Sequence, residues 1–253
     1  MVLDLFKLDG KVAVVTGANT GLGQGMCVAL ASAGAKVVGV ARRDCSETKQ
    51  LVEEAGGEFL EVIADLSDIK PIDDILNASL KAFGRVDILV NNAGLIKRDD
   101  AIDYTVEEWD SVVSVNQKTV FFMCQAFAKQ YMKQGTGGKI INVASMLSYQ
   151  GGIRVPAYTA SKSAVLGMTR AMANEWAKYN INVNAIAPGY MVTNNTAAIR
   201  DDEDRNAAIL DRIPAGRWGT KEDMAGAVVW LASDASNYVH GFTVAVDGGW
   251  LAR

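Results

Sequence analysis

Short apolar runs alternate along the chain with longer segments of helical pattern. The runs, rich in β-branched residues, cover residues 11–16, 36–41, 58–64, 87–91, 139–145, 181–187 and 242–246. Apolar residues on consecutive positions are typical of parallel strands that are covered on both faces. The segments between them predict helices over residues 21–33, 45–55, 69–83, 106–133, 157–179 and 221–232. This alternation predicts an α/β fold with right-handed crossovers and a doubly wound, parallel, seven-stranded sheet.

Nothing along the chain suggests a division into domains. There is no linker, low-complexity tract or internal repeat, so we expect residues 1–253 to form a single domain. Residues 192–212 break the alternation with a polar and charged stretch that includes Asn194, Asn195 and Arg200. This stretch fits either a solvated surface helix or a lid over a ligand, because lids are drawn from polar, less stable segments.

Composition and charge exclude several classes of function. The chain is 49% hydrophobic and 21% charged, with a net charge of −4 and no basic block, so we expect no nucleic-acid partner. The acidic start of the sequence and the lack of a long apolar stretch lead us to expect no signal peptide and no membrane span. Three widely spaced cysteines suit a reduced, cytoplasmic protein. A single histidine, His240, argues against a histidine-rich metal site and a Ser-His-Asp triad, so we expect no metal.

A glycine-rich loop follows the first predicted strand and precedes the first predicted helix. Its spacing is Gly-x-x-x-Gly-x-Gly, with candidate cofactor-binding residues Gly17, Asn19, Thr20, Gly21, Leu22 and Gly23. Glycines let the backbone approach a diphosphate closely, and the helix N-terminus supplies free N–H groups and a positive dipole end. The alternative is an ordinary glycine turn, but the position within a strand–loop–helix unit favours a dinucleotide.

The end of the second predicted strand indicates which dinucleotide is used. The strand ends in Arg42 and Arg43, with no acid before Asp44. An acid here would bind the ribose 2′-hydroxyl of NAD, whereas an arginine suits the 2′-phosphate of NADP. Arg42 therefore favours NADP, although it could also face solvent or stack on adenine.

Ser145, Tyr158 and Lys162 are candidate catalytic residues. Tyr158 and Lys162 are four residues apart and share one face of a predicted helix, thirteen residues after Ser145. A nearby ammonium group favours the phenolate, and a serine hydroxyl could hold a carbonyl or alcohol oxygen. The set could therefore move a proton to or from a carbonyl. The Tyr/Lys pair alone fits equally well an interfacial tyrosine and a surface lysine on an amphipathic helix.

These elements together resemble the short-chain dehydrogenase/reductase family over nearly the whole chain. Further matches, in the family's order and spacing, are Asp65-Leu66, Asn91-Asn92-Ala93-Gly94, Asn116, and Pro188-Gly189 with Thr193. The resemblance implies a Rossmann-type sheet of strand order 3-2-1-4-5-6-7. It also implies NAD or NADP as cofactor and, usually, a homotetramer formed through residues 106–133 and the C-terminal end.

The resemblance also implies roles for individual residues. Tyr158 would be the acid–base, Ser145 would orient the substrate oxygen, and Lys162 would hold the nicotinamide ribose and lower the pKa of Tyr158. Asn116 would support a water chain to Lys162. The remaining cofactor contacts would come from Asp65, Leu66, Asn92, Ala93, Gly94, Gly189, Met191 and Thr193.

Several segments look like those of family members that act on sugar acids. They include the residues from Gly94 to Arg98, those from Gly151 to Pro156, and the C-terminal end. These members interconvert a keto and a hydroxyl group in pectin and alginate breakdown and are usually NAD-linked, which conflicts with the NADP preference that Arg42 indicates. Both cofactors therefore stay open.

A sugar-acid carboxylate favours a bidentate arginine, and Arg98 and Arg154 are the candidates, with Arg98 preferred. Either could instead be a surface arginine or part of an intersubunit ion pair. The alternatives for function are a gluconate 5-dehydrogenase, a 3-oxoacyl-thioester reductase and a non-catalytic, dinucleotide-sensing scaffold. A silent scaffold would be expected to lack part of the Ser/Tyr/Lys set, which is complete here.

Overall fold

The computed structural model describes residues 1–253 and contains one sheet of seven parallel strands. The strands are β1 (Val12–Thr16), β2 (Lys36–Ala41), β3 (Phe59–Ile63), β4 (Ile88–Asn91), β5 (Gly138–Val143), β6 (Ile181–Pro188) and β7 (Thr243–Val246). Their order is β3-β2-β1-β4-β5-β6-β7, as predicted. In the centre, Val14 of β1 pairs with Val38 of β2 and with Leu89 of β4.

The chain also contains nine α-helices. They are α1 (Gly21–Ser32), α2 (Ser46–Glu54), α3 (Ile72–Phe83), α4 (Val106–Val113), α5 (Thr119–Gln134), α6 (Pro156–Trp176), α7 (Ala197–Arg200), α8 (Glu203–Arg212) and α9 (Ala225–Ala232). Alternate residues of a strand point to opposite faces. Accordingly, Val15 of β1 packs in one core with Leu30 of α1, while Val14 packs in another with Phe127 of α5. The apolar runs seen in the sequence therefore fill two cores at once.

The long helical pattern over residues 106–133 is not one regular helix. A π-helical segment, Ser114–Lys118, joins α4 to α5 and contains the fully buried Asn116. The Asn116 side chain donates to the Leu95 carbonyl (2.9 Å) and accepts from the Leu95 amide (2.8 Å). A π-turn inserts an extra residue into a helix, often at a functional site, and here it accompanies this tertiary contact.

The polar stretch 192–212 folds into a short 3-10 turn, Asn194–Thr196, followed by α7 and α8. The Asp202 side chain caps α8 by accepting from the Arg205 amide. Ile209 of α8 packs into a small apolar cluster with Trp218 and Trp250. The segment is thus mostly helical and polar, and a few apolar residues anchor it to the rest of the chain.

No helix is long and apolar enough to span a bilayer. All three cysteines are free and buried, and no group of three or more potential metal-binding side chains is present.

Candidate active site

The glycine loop between β1 and α1 leaves no room for side chains at two positions. A Cβ at Gly23 would lie 2.1 Å from the Gly17 carbonyl oxygen, and one at Gly17 would lie 2.9 Å from Nδ2 of Asn92. Gly17 and Gly21 also have positive φ angles of 67° and 57°, which favour glycine. The loop is therefore a tight cradle that depends on its glycines.

The α1 end of this cradle suits a phosphate. Thr20 is the N-cap residue of α1, and no side chain caps the helix, with Asn19 before it and Leu22 in its first turn. Uncapped N–H groups and the helix dipole attract an anion. The cradle and the uncapped helix end therefore fit the diphosphate of a dinucleotide.

A second segment closes one side of the cradle. The Thr16 hydroxyl accepts from the backbone amides of Asn92 and Ala93, each at 3.0 Å. The Asn92 amide group donates in turn to the carbonyls of Thr16 (2.9 Å) and Gly17 (3.2 Å). These bonds fix the residues after β4 against the glycine loop.

Arg42 and Asp65 lie at the carboxyl ends of β2 and β3, where the adenosine end of a dinucleotide would bind. The pKa of Asp65 is lowered, first by the Ser67 amide that it accepts from and also by the positive charge of Arg42. Arg42 is exposed, so its guanidinium is available to a ligand. The next residue, Leu66, is buried and its carbonyl accepts from the Thr119 hydroxyl.

The three catalytic candidates meet at the carboxyl end of β5. Ser145 follows the strand, and its hydroxyl accepts from the Leu147 amide at 3.1 Å. Tyr158 and Lys162 lie one turn apart on α6, with the Lys162 Nζ 5.7 Å from the centroid of the Tyr158 ring. Lys162 is buried and donates to the Val143 carbonyl at the end of β5 (2.6 Å). The structure therefore brings the predicted set together.

Burial shifts the pKa of both titratable members of this set. It raises the pKa of Tyr158, whereas interaction with the Ser145 hydroxyl and the charge of Arg98 lower it. Burial lowers the pKa of Lys162 to about 8. The effect of Lys162 on the pKa of Tyr158, which the family resemblance implies, stays a prediction.

Asn116 and Lys162 converge on Gly94. A Cβ at Gly94 would lie 3.5 Å from the Asn116 Oδ1 atom and 3.8 Å from the Lys162 Nζ atom. Asn116 also donates to the hydroxyl of Ser161, which directly precedes Lys162 on α6. Asn116 thus ties the π-helical segment, the Gly94–Leu95 backbone and α6 into one buried polar network.

The residues after β6 pack against the end of β7 and against the glycine loop. A Cβ at Gly189 would lie 2.6 Å from the Cα of Asp247, so this glycine is required by close packing. Met191 forms an isolated parallel bridge with Gly219. The Thr193 methyl group comes within 3.7 Å of a Cβ built on Gly21. The start of the 192–212 segment therefore lies against the glycine loop.

The two arginine candidates differ in their partners. Arg154 is exposed and forms ion pairs with Asp100 (3.0 Å) and Asp99 (3.7 Å). Arg98 forms no ion pair, donates to the Asn195 carbonyl (2.9 Å), and acts electrostatically on Tyr158. The geometry thus favours Arg98 as the cation available to a substrate carboxylate.

Some residues of the site were not found from the sequence. The fully buried Thr48 donates to the Ala18 carbonyl within the glycine loop (2.8 Å). The Tyr190 ring contacts Trp218 and Trp250 edge-on, with centroid distances of 5.3 and 4.8 Å. The aromatic character of these three residues was a visible signal, but their convergence depends on chain segments far apart in sequence.

Comparison with known proteins places this geometry among dinucleotide-dependent enzymes. A family model described as enoyl-(acyl carrier protein) reductase matches residues 17–251. The chain is 61% identical over its full length to the full-length 2-dehydro-3-deoxy-D-gluconate 5-dehydrogenase of Escherichia coli. It is 54% identical to the enzyme of that name from Bacillus subtilis, over 99% of this chain and 98% of that one.

Two solved structures share the fold over nearly all residues. A protein of Agrobacterium tumefaciens with bound NADP is 54% identical, with a TM-score of 0.94 over 99% of this chain and 100% of that one. A gluconate 5-dehydrogenase of Burkholderia cenocepacia, in complex with NADP and tartrate, is 34% identical, with a TM-score of 0.93 over the whole of both chains.

Proposed function

Because the chain belongs to the short-chain dehydrogenase/reductase family, we propose that it is an NADP(H)-dependent 2-dehydro-3-deoxy-D-gluconate 5-dehydrogenase. It would interconvert the 5-hydroxyl of that sugar acid and the ketone of the 2,5-diketo form, a step of uronate breakdown. The observation that carries the proposal is the 61% identity over the whole length to enzymes of that name, in a chain that retains the full Ser/Tyr/Lys set.

The site chemistry supports a proton transfer at the reacting oxygen. Ser145 would donate a hydrogen bond to that oxygen, and the Tyr158 phenol would give it a proton in reduction or take one in oxidation. Burial is the largest influence and raises the pKa of Tyr158 above its ordinary value, while Ser145 and Arg98 oppose part of that shift. The free protein therefore holds the protonated phenol, the form that gives a proton in reduction.

Lys162 and Asn116 would act around this pair. The Lys162 ammonium, with a pKa of about 8, is held by the Val143 carbonyl and can still donate to a ribose hydroxyl. Asn116 fixes the Gly94–Leu95 backbone beside it. These residues would orient the nicotinamide end and connect the site to protons outside.

The residues present fit a dinucleotide. The glycine cradle and the uncapped N-terminus of α1 would hold the diphosphate, and Arg42 would bind a 2′-phosphate. When bound, the cofactor supplies or accepts the hydride. NADP is favoured over NAD by Arg42 and by relatives whose structures contain NADP.

The substrate carboxylate would bind Arg98, which lies near Tyr158 and forms no ion pair. Because Arg98 donates to the Asn195 carbonyl, it also links the loop after β4 to the 192–212 segment. We propose that this segment is a lid that closes over the substrate, with Arg98 as its contact to the catalytic side.

The test is a substrate panel assayed with NADPH and with NADH. We expect the highest kcat/KM with the 2-dehydro-3-deoxy-D-gluconate pair and NADP(H). Higher values with 5-keto-D-gluconate or a 3-oxoacyl thioester would replace this function with one of those activities. Tyr158→Phe should lower kcat by about 10²–10⁴-fold while NADPH binding is retained. Turnover equal to the parent's would rule out the catalytic role of Tyr158.

We further propose a cytoplasmic homotetramer. Supporting observations are the free cysteines and the exposed apolar residues Val106 and Trp109 on α4. Size-exclusion chromatography with light scattering would test the assembly, and a monomeric mass would contradict it.

A further inference from the structure

A polar cavity lies at the amino ends of the strands, on the opposite edge of the sheet from the glycine loop. Its volume is about 280 Å³, and only 3 of its 16 lining residues are hydrophobic. We call it the basal cavity and define it by Lys11, Asp87, Lys139, Asn182, Asp234 and His240. Its size is at the lower end for small-molecule sites, so it suits a small, polar ligand.

Lys139 is a buried cation without a carboxylate partner. It is 8% exposed, and its ammonium donates to the side-chain oxygens of Asn182 (3.1 Å) and Asn237 (2.6 Å). No ion pair within 4 Å includes it. Burial lowers its pKa to about 8, and the charge of Lys11 contributes to that shift. Because an ammonium has three N–H donors, one remains for a ligand.

The other charges around the cavity leave it net positive. Lys11 is half-buried and forms no ion pair or side-chain hydrogen bond. Asp87 is already neutralised by Arg85, which donates to it through Nε at 2.9 Å, and also accepts from the Val12 amide. Asp234 is the acid that remains, and it favours the charged form of Lys139 from beyond ion-pair distance.

His240 adds a buried polar atom without a partner. The Asn182 oxygen accepts from Lys139, and its NH₂ group lies within 3.3 Å of three backbone carbonyls and of the His240 Nε2 atom. The Nδ1 atom of the same ring is buried and has no hydrogen-bond partner. A buried polar atom without a partner is unfavourable, and a ligand oxygen at this end of the cavity would offer one.

We propose that the basal cavity binds a small oxyanion of the phosphate type, either free or as the phosphate group of a small metabolite. Its oxygens would accept from the free N–H of Lys139 and from Lys11. A phosphate fits better than a carboxylate, because two lysines require more negative charge and more acceptor oxygens than one carboxylate supplies. The site lies outside the proposed catalytic machinery and does not depend on the proposed substrate.

The single histidine of the chain gives a direct readout. Protein labelled with ¹⁵N-histidine is titrated with inorganic phosphate at constant ionic strength, with NAD or NADP at saturation so that the glycine loop is filled. We expect the His240 ring signals to shift and saturate. Lys139→Met and Lys11→Met should each raise the Kd by about tenfold or more. The matched control Lys129→Met, on an exposed part of α5, should leave it unchanged.

The other outcomes either count against the site or identify the source of its ligand. A shift that does not saturate, or a Kd unchanged in both lysine variants, would overturn the proposal. If Lys139→Met fails to fold, Lys11→Met decides, since Lys11 makes no side-chain bond that the fold needs. Acetate binding as tightly as phosphate would refute the preference for phosphate. A phosphate monoester that binds more tightly than inorganic phosphate would identify the ligand as a phosphorylated metabolite, and weaker binding would identify the free ion.

Discussion

Replacing Arg98 by methionine should separate recognition of the substrate's charge from the chemistry at its carbonyl. The Arg98 guanidinium has five N–H donors, and the Asn195 carbonyl accepts from one of them. The remaining donors can bind a carboxylate without giving up that contact. A hydrogen bond to a charged group is worth about 1.5–3 kcal/mol, so kcat/KM for the sugar acid should fall about 10- to 150-fold.

Arg154→Met is the matched control. Arg154 is already paired with Asp99 and Asp100, so a substrate carboxylate would have to compete with two fixed acids. These ion pairs are exposed, and exposed pairs contribute about 0–1 kcal/mol, so the variant should remain folded. We expect its kcat/KM for the sugar acid to stay within about threefold of the parent's.

The assay measures steady-state kcat and KM for the sugar acid and for a neutral ketone, with NADPH fixed at saturation. Arg98→Met should impair the sugar acid much more than the ketone. Because the charge of Arg98 lowers the pKa of Tyr158, its removal should also move the Tyr158-dependent limb of the pH–rate profile to higher pH for both substrates. An equal loss on both substrates, or a larger effect from Arg154→Met, would refute the carboxylate assignment.

Three further predictions concern the cofactor site and alkaline stability. Arg42→Ala should raise KM about tenfold for NADPH and much less for NADH; equal changes would show that Arg42 does not bind the 2′-phosphate. Gly23→Ala should abolish NADPH binding in a fluorescence titration, because its Cβ would lie 2.1 Å from the Gly17 carbonyl oxygen. An unchanged Kd for NADPH would show that the glycine loop does not hold the diphosphate. Burial raises the pKa of Cys124 from 9.0 to about 12, so the folded thiol keeps a proton that the unfolded chain loses as the pH rises above 9.0. This lowers the free energy of unfolding by about 1.4 kcal/mol per pH unit. Cys124→Ala should flatten that decline in urea unfolding between about pH 9 and pH 10.5, and an unchanged slope would contradict it.

The seven strands were predictable from the sequence to within two residues at each end, and their order followed from the resemblance to the family. Val14 and Val15 belong to different cores on opposite faces, which is why an inner strand appears as an unbroken apolar run. The glycine loop was also predictable, because only a residue without a Cβ lets two backbone segments approach this closely. Such features depend on local sequence and on a connection that repeats along the chain.

Other parts of the site depend on contacts between distant segments and could not be predicted. The helical pattern over residues 106–133 contains no break that would indicate the π-helical segment. That segment accompanies the contact between Asn116 and the backbone of Leu95, which lies outside the pattern. The choice between Arg98 and Arg154 depends on which of them the fold places beside acids. Trp250, near the C-terminal end, packs against Tyr190 and beneath Arg212, which lie about 40 to 60 residues earlier in the sequence.

Lys162 and Lys139 show why sequence reasoning finds one site and misses another. Each is buried and held by uncharged oxygens, and burial lowers the pKa of each to about 8. They lie at opposite edges of the sheet, Lys162 beside the end of β5 and Lys139 at its start. Lys162 could be found because Tyr158 lies four residues before it on one helix. Lys139 has no such neighbour in sequence, and Asn182, Asn237 and His240 come near it only through folding. A buried cation without a charged partner costs free energy at either place, so each ammonium group depends on the oxygens around it. In the proposals above, a ribose hydroxyl would accept from Lys162 and a phosphate oxygen would accept from Lys139, so each ligand would satisfy a buried N–H that the fold leaves free.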